Sequence, residues 1–173
     1  MDLIITARLG ATTGVAKLGQ QTYRCALGRS GMILNKKEGD GATPLGRFAL
    51  RRLFYRADRH DRPRTRLPIQ VLEHHDGWCD DPADPAYNCL VRLPYAARHE
   101  TMWRQDALYD LVLVIGHNDA PVRAGDGSAV FLHIARHDFG PTEGCVAFLA
   151  EDLAEIVTAL GPDDHIQIDL QRD

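Results

Sequence analysis

The chain has 173 residues, a length that suits one domain with a core of ordinary size and leaves little room for a second. Hydrophobic residues make up 45% and charged residues 25% of it, which are average values for globular proteins and argue against intrinsic disorder. The formal net charge of −4 gives no general attraction for nucleic acid or an anionic membrane, and no window approaches the ~18 apolar residues of a membrane span.

The first half of the chain is predicted to consist mainly of strands. Strand-like runs separated by Gly, Asn, Asp and Pro clusters occur at residues 3–7, 21–26, 46–55 and 69–72. The N-terminal run MDLIITARLG has no basic start, no long apolar core and no cleavage site, so we do not interpret it as a signal peptide.

Two irregular stretches are predicted to be loops that form the rim of a site. Residues 35–46 (NKKEGDGATPLG) hold three glycines and a proline, and residues 78–88 (WCDDPADPAYN) repeat Asp-Pro pairs, which favour turns and disfavour helix. Between these loops, residues 47–66 carry eight arginines and two aspartates. We interpret that stretch as a solvated strand edge and loop, with a patch that recognises carboxylates or an anionic polymer as the alternative.

The second half is predicted to contain further strands and one well-defined helix. A short helix or turn is expected at residues 95–108. The run 111–116 (LVLVIG) is wholly apolar, as a strand buried on both faces would be, and residues 129–134 (AVFLHI) form the next strand. Apolar residues recur at helical spacing over 149–160, before a Gly-Pro stop signal, and the alternating run 165–170 (HIQIDL) is a closing strand.

The residues with catalytic potential lie between Gly116 and Phe148. Cys145 follows Gly144 in the run PTEGCVAF, a placement that turns backbone amides towards a substrate oxygen, as an oxyanion hole requires. We also expect the sulfur to lie near the N-terminal side of the following helix, whose dipole would favour a thiolate. His133 lies 12 residues upstream on a predicted strand and is the candidate base for such a nucleophile.

Spacing alone leaves other interpretations of this pair open. A free cysteine is often a buried core residue, and a strand histidine is often a hydrogen-bonded one. The remaining cysteines lack a Gly-Cys turn and are predicted to be structural: Cys25, Cys79 and Cys89.

Two other enzyme classes, a metalloenzyme and a serine hydrolase, have less support in the sequence. The potential metal ligands are His117, His133, His137 and Cys145. The run HIARH lacks the glutamate of an H-E-x-x-H motif, so we expect no bound metal. A serine hydrolase is disfavoured because the sequence contains no G-x-S-x-G elbow.

The segment AVFLHIARHDFGPTEGCVAF resembles the signature of the YkuD-type L,D-transpeptidases, in which a strand histidine is followed, after a variable loop, by a [Ser/Thr]-His-Gly-Cys turn. Here that pattern falls on His133 and on Thr142, Glu143, Gly144 and Cys145. The upstream piece GDGATPLGRF, at residues 39–48, resembles the T-P-x-G-x-F segment of the family. The resemblance spans essentially the whole chain in order.

The chain departs from the common motif in three places. Glu143 stands where the motif has histidine, Ala147 stands where it often has arginine, and the gap between histidine and cysteine is shorter than usual. These features resemble a short, single-domain branch of the family. That branch is linked with 1,3-type cross-links, which join L-alanine of one stem to diaminopimelate of another.

The resemblance implies both a fold and a reaction. The fold is mainly β with one or two helices, a YkuD-like β-sandwich, with residues 1–173 as a single catalytic domain. The reaction is peptidoglycan L,D-transpeptidation through a Cys145 thioester, with His133 as general base and acid and the Gly144 N–H at the oxyanion. No cofactor is implied, because one amide is exchanged for another. The alternatives are an L,D-carboxypeptidase or endopeptidase that hydrolyses stem peptides, and a non-catalytic cell-wall-binding module.

The expected partners are the donor and acceptor peptide stems of peptidoglycan, with no nucleic acid, no membrane span and a monomeric protein. The predicted substrate-binding residues are Thr142, Glu143, His117, Asn118, Asp81, Tyr87, Asn88, Tyr109 and Arg51. The polymer lies outside the cytoplasmic membrane, so we expect a periplasmic enzyme. Because no signal peptide is recognised, the cytoplasm is the alternative.

Overall fold

The structure is a computed structural model that describes residues 1–171. Those residues form fourteen strands and one α-helix. The strands are β1 (Asp2–Ala7), β2 (Thr13–Leu18), β3 (Gln21–Ala26), β4 (Met32–Ile33), β5 (Thr43–Pro44), β6 (Gly46–Tyr55), β7 (Ile69–Val71), β8 (Asp76–Cys79), β9 (Leu90–Arg92), β10 (His99–Thr101), β11 (Leu111–Ile115), β12 (Phe131–Ile134), β13 (Val146–Phe148) and β14 (His165–Leu170). The helix, α1, spans Ala150–Ala159. The predicted mainly β fold with one or two helices is confirmed.

A nine-stranded sheet dominates the molecule and closes on itself. Its order is β11-β12-β13-β3-β2-β1-β14-β6-β7, and β6 also pairs with β11. Strand β6 makes this closure because residues 46–49 pair with β14 while residues 50–55 pair with β11. Two smaller sheets, β10-β8-β9 and β4-β5, complete the architecture. Within residues 1–171, no helix has both the length and the apolar character needed to cross a membrane.

Strand β11 is buried along its whole length, as its apolar sequence predicts. Leu111, Leu113 and Ile115 face the main hydrophobic core, which also holds the buried side chains of α1. Val112 and Val114 face a second cluster on the other side of the sheet. The same alternation in β12 sends Leu132 and Ile134 to the main core and leaves the other two residues of the strand on the opposite face.

The small sheet β10-β8-β9 covers the second cluster. Trp78 of β8 packs edge-on against Phe131 of β12, with ring centroids 5.1 Å apart. The prediction of a helix or turn over residues 95–108 is wrong in part, since His99–Thr101 form strand β10, which pairs with β8. Cross-strand pairing therefore decides the structure of this polar stretch, whose own sequence pattern is weak.

Strand β13 corrects the expectation that Cys145 lies at the start of a helix. Val146–Phe148 form a buried strand parallel to β12, and α1 begins only at Ala150. The apolar run after the thiol is thus extended rather than helical. Because the helix dipole acts within about one turn of the helix end, it does not account for the reactivity of this sulfur.

Candidate active site

A cavity of about 550 Å³ lies on the face of the main sheet that carries the second hydrophobic cluster. Cys145 and His133 both line it, together with Tyr109 and the turn residues Thr142 and Glu143. The structure therefore brings five of the predicted site residues around one space.

The pairing of β12 with β13 explains why the thiol and the imidazole share this face. The register places Leu132 opposite Val146 and His133 opposite Ala147. Cys145 immediately precedes β13, two residues before Ala147, so strand alternation turns it to the same side as His133. Ala147, where the common motif often has arginine, contributes only a small, buried side chain to this part of the cavity wall.

The Cys145 thiol is nearly enclosed and held by backbone groups. The Phe131 N–H donates to Sγ at 3.3 Å, and the thiol donates to the Ala129 carbonyl oxygen at 3.1 Å. Burial, with a smaller contribution from the Glu100 carboxylate, raises the pKa of Cys145 to about 12, whereas the Phe131 N–H acts in the opposite direction. At neutral pH the resting sulfur is therefore a thiol.

The His133 imidazole is buried, and one of its two nitrogens is held by a hydrogen bond to the backbone. Its Nδ1 lies 2.8 Å from the Ile134 carbonyl oxygen, which can only accept, so Nδ1 carries the proton and Nε2 keeps a lone pair. The edge of the ring meets Tyr109 at a centroid distance of 5.2 Å. Burial lowers the pKa of His133 to about 4, so the ring is neutral and able to accept a proton at neutral pH.

The turn before Cys145 is fixed by hydrogen bonds around Thr142. The Thr142 N–H donates to the Leu27 carbonyl oxygen at 2.9 Å, and its hydroxyl donates to the Cys145 carbonyl oxygen at 2.6 Å. The Gly144 N–H donates to Thr142 Oγ1 at 3.1 Å, so it reaches a substrate oxygen only by releasing that bond.

Gly144 itself has two structural reasons to be glycine. Its φ of +133° is a conformation that other residues rarely adopt. A Cβ atom there would lie 2.7 Å from the carbonyl oxygen of Ala42. The Gly-Cys turn therefore depends on the loop that contains Ala42.

Glu143 points away from the sulfur, along the cavity rim. Its side chain is exposed and accepts a hydrogen bond from Arg29 Nε at 2.8 Å. The position that holds histidine in the common motif thus forms a surface ion pair in this chain.

Several charged side chains of the cavity wall were missed by the sequence analysis. They are Lys36, Glu38, Asp80, Arg98, Glu100, Arg104 and Arg136. The loop 35–46 was predicted to be a rim, which is a signal for Lys36 and Glu38. Glu100 lies in the stretch predicted as a helix or turn, and nothing in the sequence marks it.

Six predicted substrate-binding residues are outside the lining of this cavity among the described residues: His117, Asn118, Asp81, Tyr87, Asn88 and Arg51. Arg51 forms an ion pair with Asp119 at 2.6 Å, and the Tyr87 hydroxyl donates to Glu38 Oε2 at 2.5 Å. The side chain of Asp81 accepts a hydrogen bond from the N–H of Ala83 within its own loop.

Asn88 forms a hydrogen-bonded link between three segments. Its Oδ1 accepts from Trp78 Nε1 at 3.0 Å and from the Ala129 N–H at 3.1 Å. Its Nδ2 donates to the carbonyl oxygens of His117 and Asn118. Because Ala129 also contacts the Cys145 thiol, Asn88 supports the wall of the cavity from behind.

The potential metal ligands are not grouped around one point. The Nε2 of His117 lies 3.0 Å from the Asp126 carbonyl oxygen, away from the thiol cavity. Within residues 1–171, no three His, Cys, Asp or Glu side chains are arranged as a metal ion would need.

Comparisons with known proteins add a family match to this geometry. A family model described as the L,D-transpeptidase catalytic domain, YkuD, matches residues 5–168. A crystal structure of Mycobacterium tuberculosis L,D-transpeptidase 1 is similar to the chain, with 14% sequence identity and a TM-score of 0.42. The similarity covers 98% of this chain and 62% of that one, so this chain spans less than two thirds of its length. No curated protein matches the sequence.

Proposed function

The chain belongs to the L,D-transpeptidase catalytic domain family, and we propose on that premise that it cross-links peptidoglycan peptide stems, with Cys145 as nucleophile and His133 as base. The observation that carries the proposal is the cavity that this thiol lines together with a neutral imidazole whose Nδ1 is engaged by the backbone. Such an imidazole has its Nε2 lone pair ready for the thiol proton.

In the first half-reaction, the Sγ of Cys145 attacks the carbonyl carbon of a donor stem. The thiol proton passes to His133 Nε2, and the C–N bond breaks as His133 returns that proton to the departing amine. A thioester between the stem and Cys145 remains. Because the resting pair is neutral, the thiolate forms only when His133 accepts the Cys145 proton.

In the second half-reaction, the amine of an acceptor stem attacks the thioester carbonyl. His133 takes a proton from the amine, the C–S bond breaks, and Cys145 regains its proton. One amide replaces another, so no external energy source is needed. We assign the Gly144 N–H to the oxyanion, after release from Thr142, as the developing negative charge makes a stronger acceptor than a hydroxyl.

The cavity wall carries both acidic and basic side chains, and one of the basic ones is suited to bind a carboxylate of a peptide stem. Lys36, Arg98 and Arg104 line the wall but already contact acidic side chains. Arg136 lines the same cavity, is exposed, and has no carboxylate partner among the described residues. We propose that Arg136 binds a stem carboxylate. Thr142, Glu143 and Tyr109 would form the remaining walls of the stem site.

We further propose a 1,3-type linkage, from L-alanine of the donor to diaminopimelate of the acceptor. This proposal rests on the replacements at Glu143 and Ala147, which match the short branch of the family. We place the reaction in the periplasm, where the polymer lies. Cell fractionation tests this placement, and a native protein found only in the cytosol would contradict it.

The test of function is mass spectrometry of muropeptides after incubation of the protein with disaccharide-peptide substrates. Cys145→Ala is the inactive variant, and Cys89→Ala is the matched control because Cys89 is exposed and outside the thiol cavity. Dimers that require Cys145 would support transpeptidation, and fragmentation would identify the linkage. Cys145-dependent shortened monomers would indicate a hydrolase instead, and no Cys145-dependent product would remove the enzymatic proposal.

A further inference from the structure

Glu100 and Tyr109 form a polar pair in the wall of the thiol cavity. The Tyr109 hydroxyl donates to Glu100 Oε1 at 2.5 Å. Tyr109 and Cys145 are buried in the same cluster and line the same cavity, and the Tyr109 hydroxyl acts to lower the pKa of the thiol. In the structure the hydroxyl proton is held by Glu100.

We propose that Glu100 and Tyr109 are positioning residues that control when Cys145 becomes a thiolate, through competition between the Glu100 carboxylate and the sulfur for the single Tyr109 hydroxyl proton. The inference deepens the proposed function, since it assumes that Cys145 is the nucleophile. It concerns the reactivity of the sulfur and is independent of which stems are joined.

The two protonation states of Glu100 have opposite effects on the stability of a Cys145 thiolate. An ionised Glu100 keeps the Tyr109 proton and repels a thiolate through the low-dielectric cavity. A neutral Glu100 donates its own proton to the Tyr109 oxygen, which turns the tyrosine O–H towards Sγ. The thiolate formed when His133 accepts the Cys145 proton is then stabilised by a hydrogen bond in place of a like charge.

The groups around Glu100 act on its pKa in both directions. Burial raises the pKa of Glu100, and the carboxylates of Asp80 and Glu38 raise it further. The Tyr109 hydroxyl and the Arg104 guanidinium lower it. Around the sulfur itself, Lys36 favours the thiolate and Glu100 disfavours it, with the neutral His133 on the same face.

The experiment measures the rate of alkylation of each cysteine by iodoacetamide from pH 6 to pH 10, resolved by peptide mass spectrometry. In Glu100→Gln, the repelling charge is lost and the side-chain amide can donate to the Tyr109 oxygen. We expect the rate of Cys145 alkylation at each pH of this range to rise about tenfold, as a fall of one unit in the thiol pKa implies. Exposed Cys89 is the internal reference, and its alkylation rate at each pH is expected to be the same in every variant.

Tyr109→Phe tests whether the hydroxyl mediates the effect. In the Tyr109→Phe background, the increase in the Cys145 alkylation rate caused by Glu100→Gln is expected to be at least about threefold smaller, since Glu100 and Tyr109 interact directly. An equal gain in both backgrounds would mean that Glu100 acts by charge alone and would overturn the proposal. Alkylation of Cys25, which is fully buried, would reveal an unfolded variant. If Glu100→Gln is unfolded, Glu100→Asp, which shortens the carboxylate arm, takes its place, and the rate of Cys145 alkylation is again expected to rise.

Glu38→Gln is the matched control. Glu38 also accepts from a tyrosine hydroxyl, that of Tyr87, and lines the same cavity, but it does not share a hydroxyl with the sulfur. A rise in the Cys145 alkylation rate in Glu38→Gln as large as that in Glu100→Gln would overturn the proposal in favour of a general charge effect. The readout needs no peptidoglycan, so absence of muropeptide products would contradict the proposed function and leave this result intact.

Discussion

Two buried groups with opposite pKa shifts set the chemistry of the cavity at the scale of single residues. Burial raises the pKa of the Cys145 thiol to about 12 and lowers the pKa of the His133 imidazole to about 4. Both shifts favour the neutral form, because a low-dielectric site penalises charge. At neutral pH the resting sulfur is therefore a thiol, which is much less nucleophilic than a thiolate.

Arg136 gives a prediction about substrate binding. Arg136→Ala removes an exposed guanidinium from the cavity wall. We expect KM for stem substrates to rise about fivefold to tenfold with kcat little changed, as for the loss of an exposed charged contact. Steady-state kinetics measures both constants. Arg62→Ala, in an exposed loop, is the control, and an unchanged KM in Arg136→Ala would exclude the carboxylate contact.

Gly144 gives a prediction about the geometry of the nucleophile. Gly144→Ala combines strain at a φ of +133° with a Cβ 2.7 Å from the Ala42 oxygen, so the turn must shift. We expect a loss of about 2–4 kcal/mol in the free energy of unfolding and a large loss of Cys145-dependent activity.

Gly125→Ala is the matched control for Gly144→Ala. Gly125 also has a positive φ, +83°, but a Cβ there meets nothing within 4 Å. Only the backbone strain remains, which is about 1 kcal/mol. Equal losses in the two variants, measured by urea denaturation, would show that the contact with Ala42 is unimportant.

At the scale of elements, the sequence predicts those strands and that helix whose own pattern is strong. The apolar run of β11, the long β6 and the helix α1 follow from periodicity and are confirmed. Strands β2 and β13 were missed, because TGVAKL has little apolar alternation and VAF reads as the beginning of the helix. Both are strands because of their neighbours in the sheet, which a local pattern does not contain.

In the candidate site too, some residues are predicted by the local sequence and others are brought there only by strand pairing. Cys145, His133 and the turn from Thr142 to Gly144 were selected by motif, and the pairing of β12 with β13 brings them to one face. Glu100 was not selected, because it reaches the cavity through the pairing of β10 with β8. A contact made by two short strands distant in sequence from the motif leaves no local signal.

Asn88 provides the prediction at this scale. Asn88→Ala would leave the Trp78 Nε1–H and the Ala129 N–H without their acceptor, and two carbonyl oxygens without their donor. We expect a loss of about 2–4 kcal/mol in the free energy of unfolding, because these groups are largely enclosed. Activity should fall further than stability explains, since Ala129 contacts the thiol. Urea denaturation and activity assays measure both, and Asn35→Ala, at an exposed loop position, is the control.

The whole molecule is held by a sheet that closes through β6 and is covered on both faces near the site. This closure explains how a chain of 173 residues encloses a cavity and still buries a continuous core. It also has a thermodynamic consequence: a titratable group in the wall is desolvated by the entire fold, so its protonation is linked to global unfolding.

The last prediction concerns the stability of the whole molecule in acid. His133 has a pKa of about 4 in the folded protein against 6.5 in the unfolded chain. Between these values the unfolded chain binds a proton that the folded protein does not, so the free energy of unfolding falls as the pH falls through that window. The loss from this group approaches about 3 kcal/mol near pH 4 and is absent above pH 7. His117, whose pKa is also lowered by burial, acts in the same direction.

The His133→Gln variant has no proton to bind at this position, so its free energy of unfolding, measured by urea denaturation at pH 7, 5.5 and 4.5, should decrease less than that of the native protein. The contribution of His117 is common to both proteins and cancels in the comparison. Parallel pH dependences would mean that His133 titrates alike in the folded and unfolded states and would contradict the lowering of its pKa by burial.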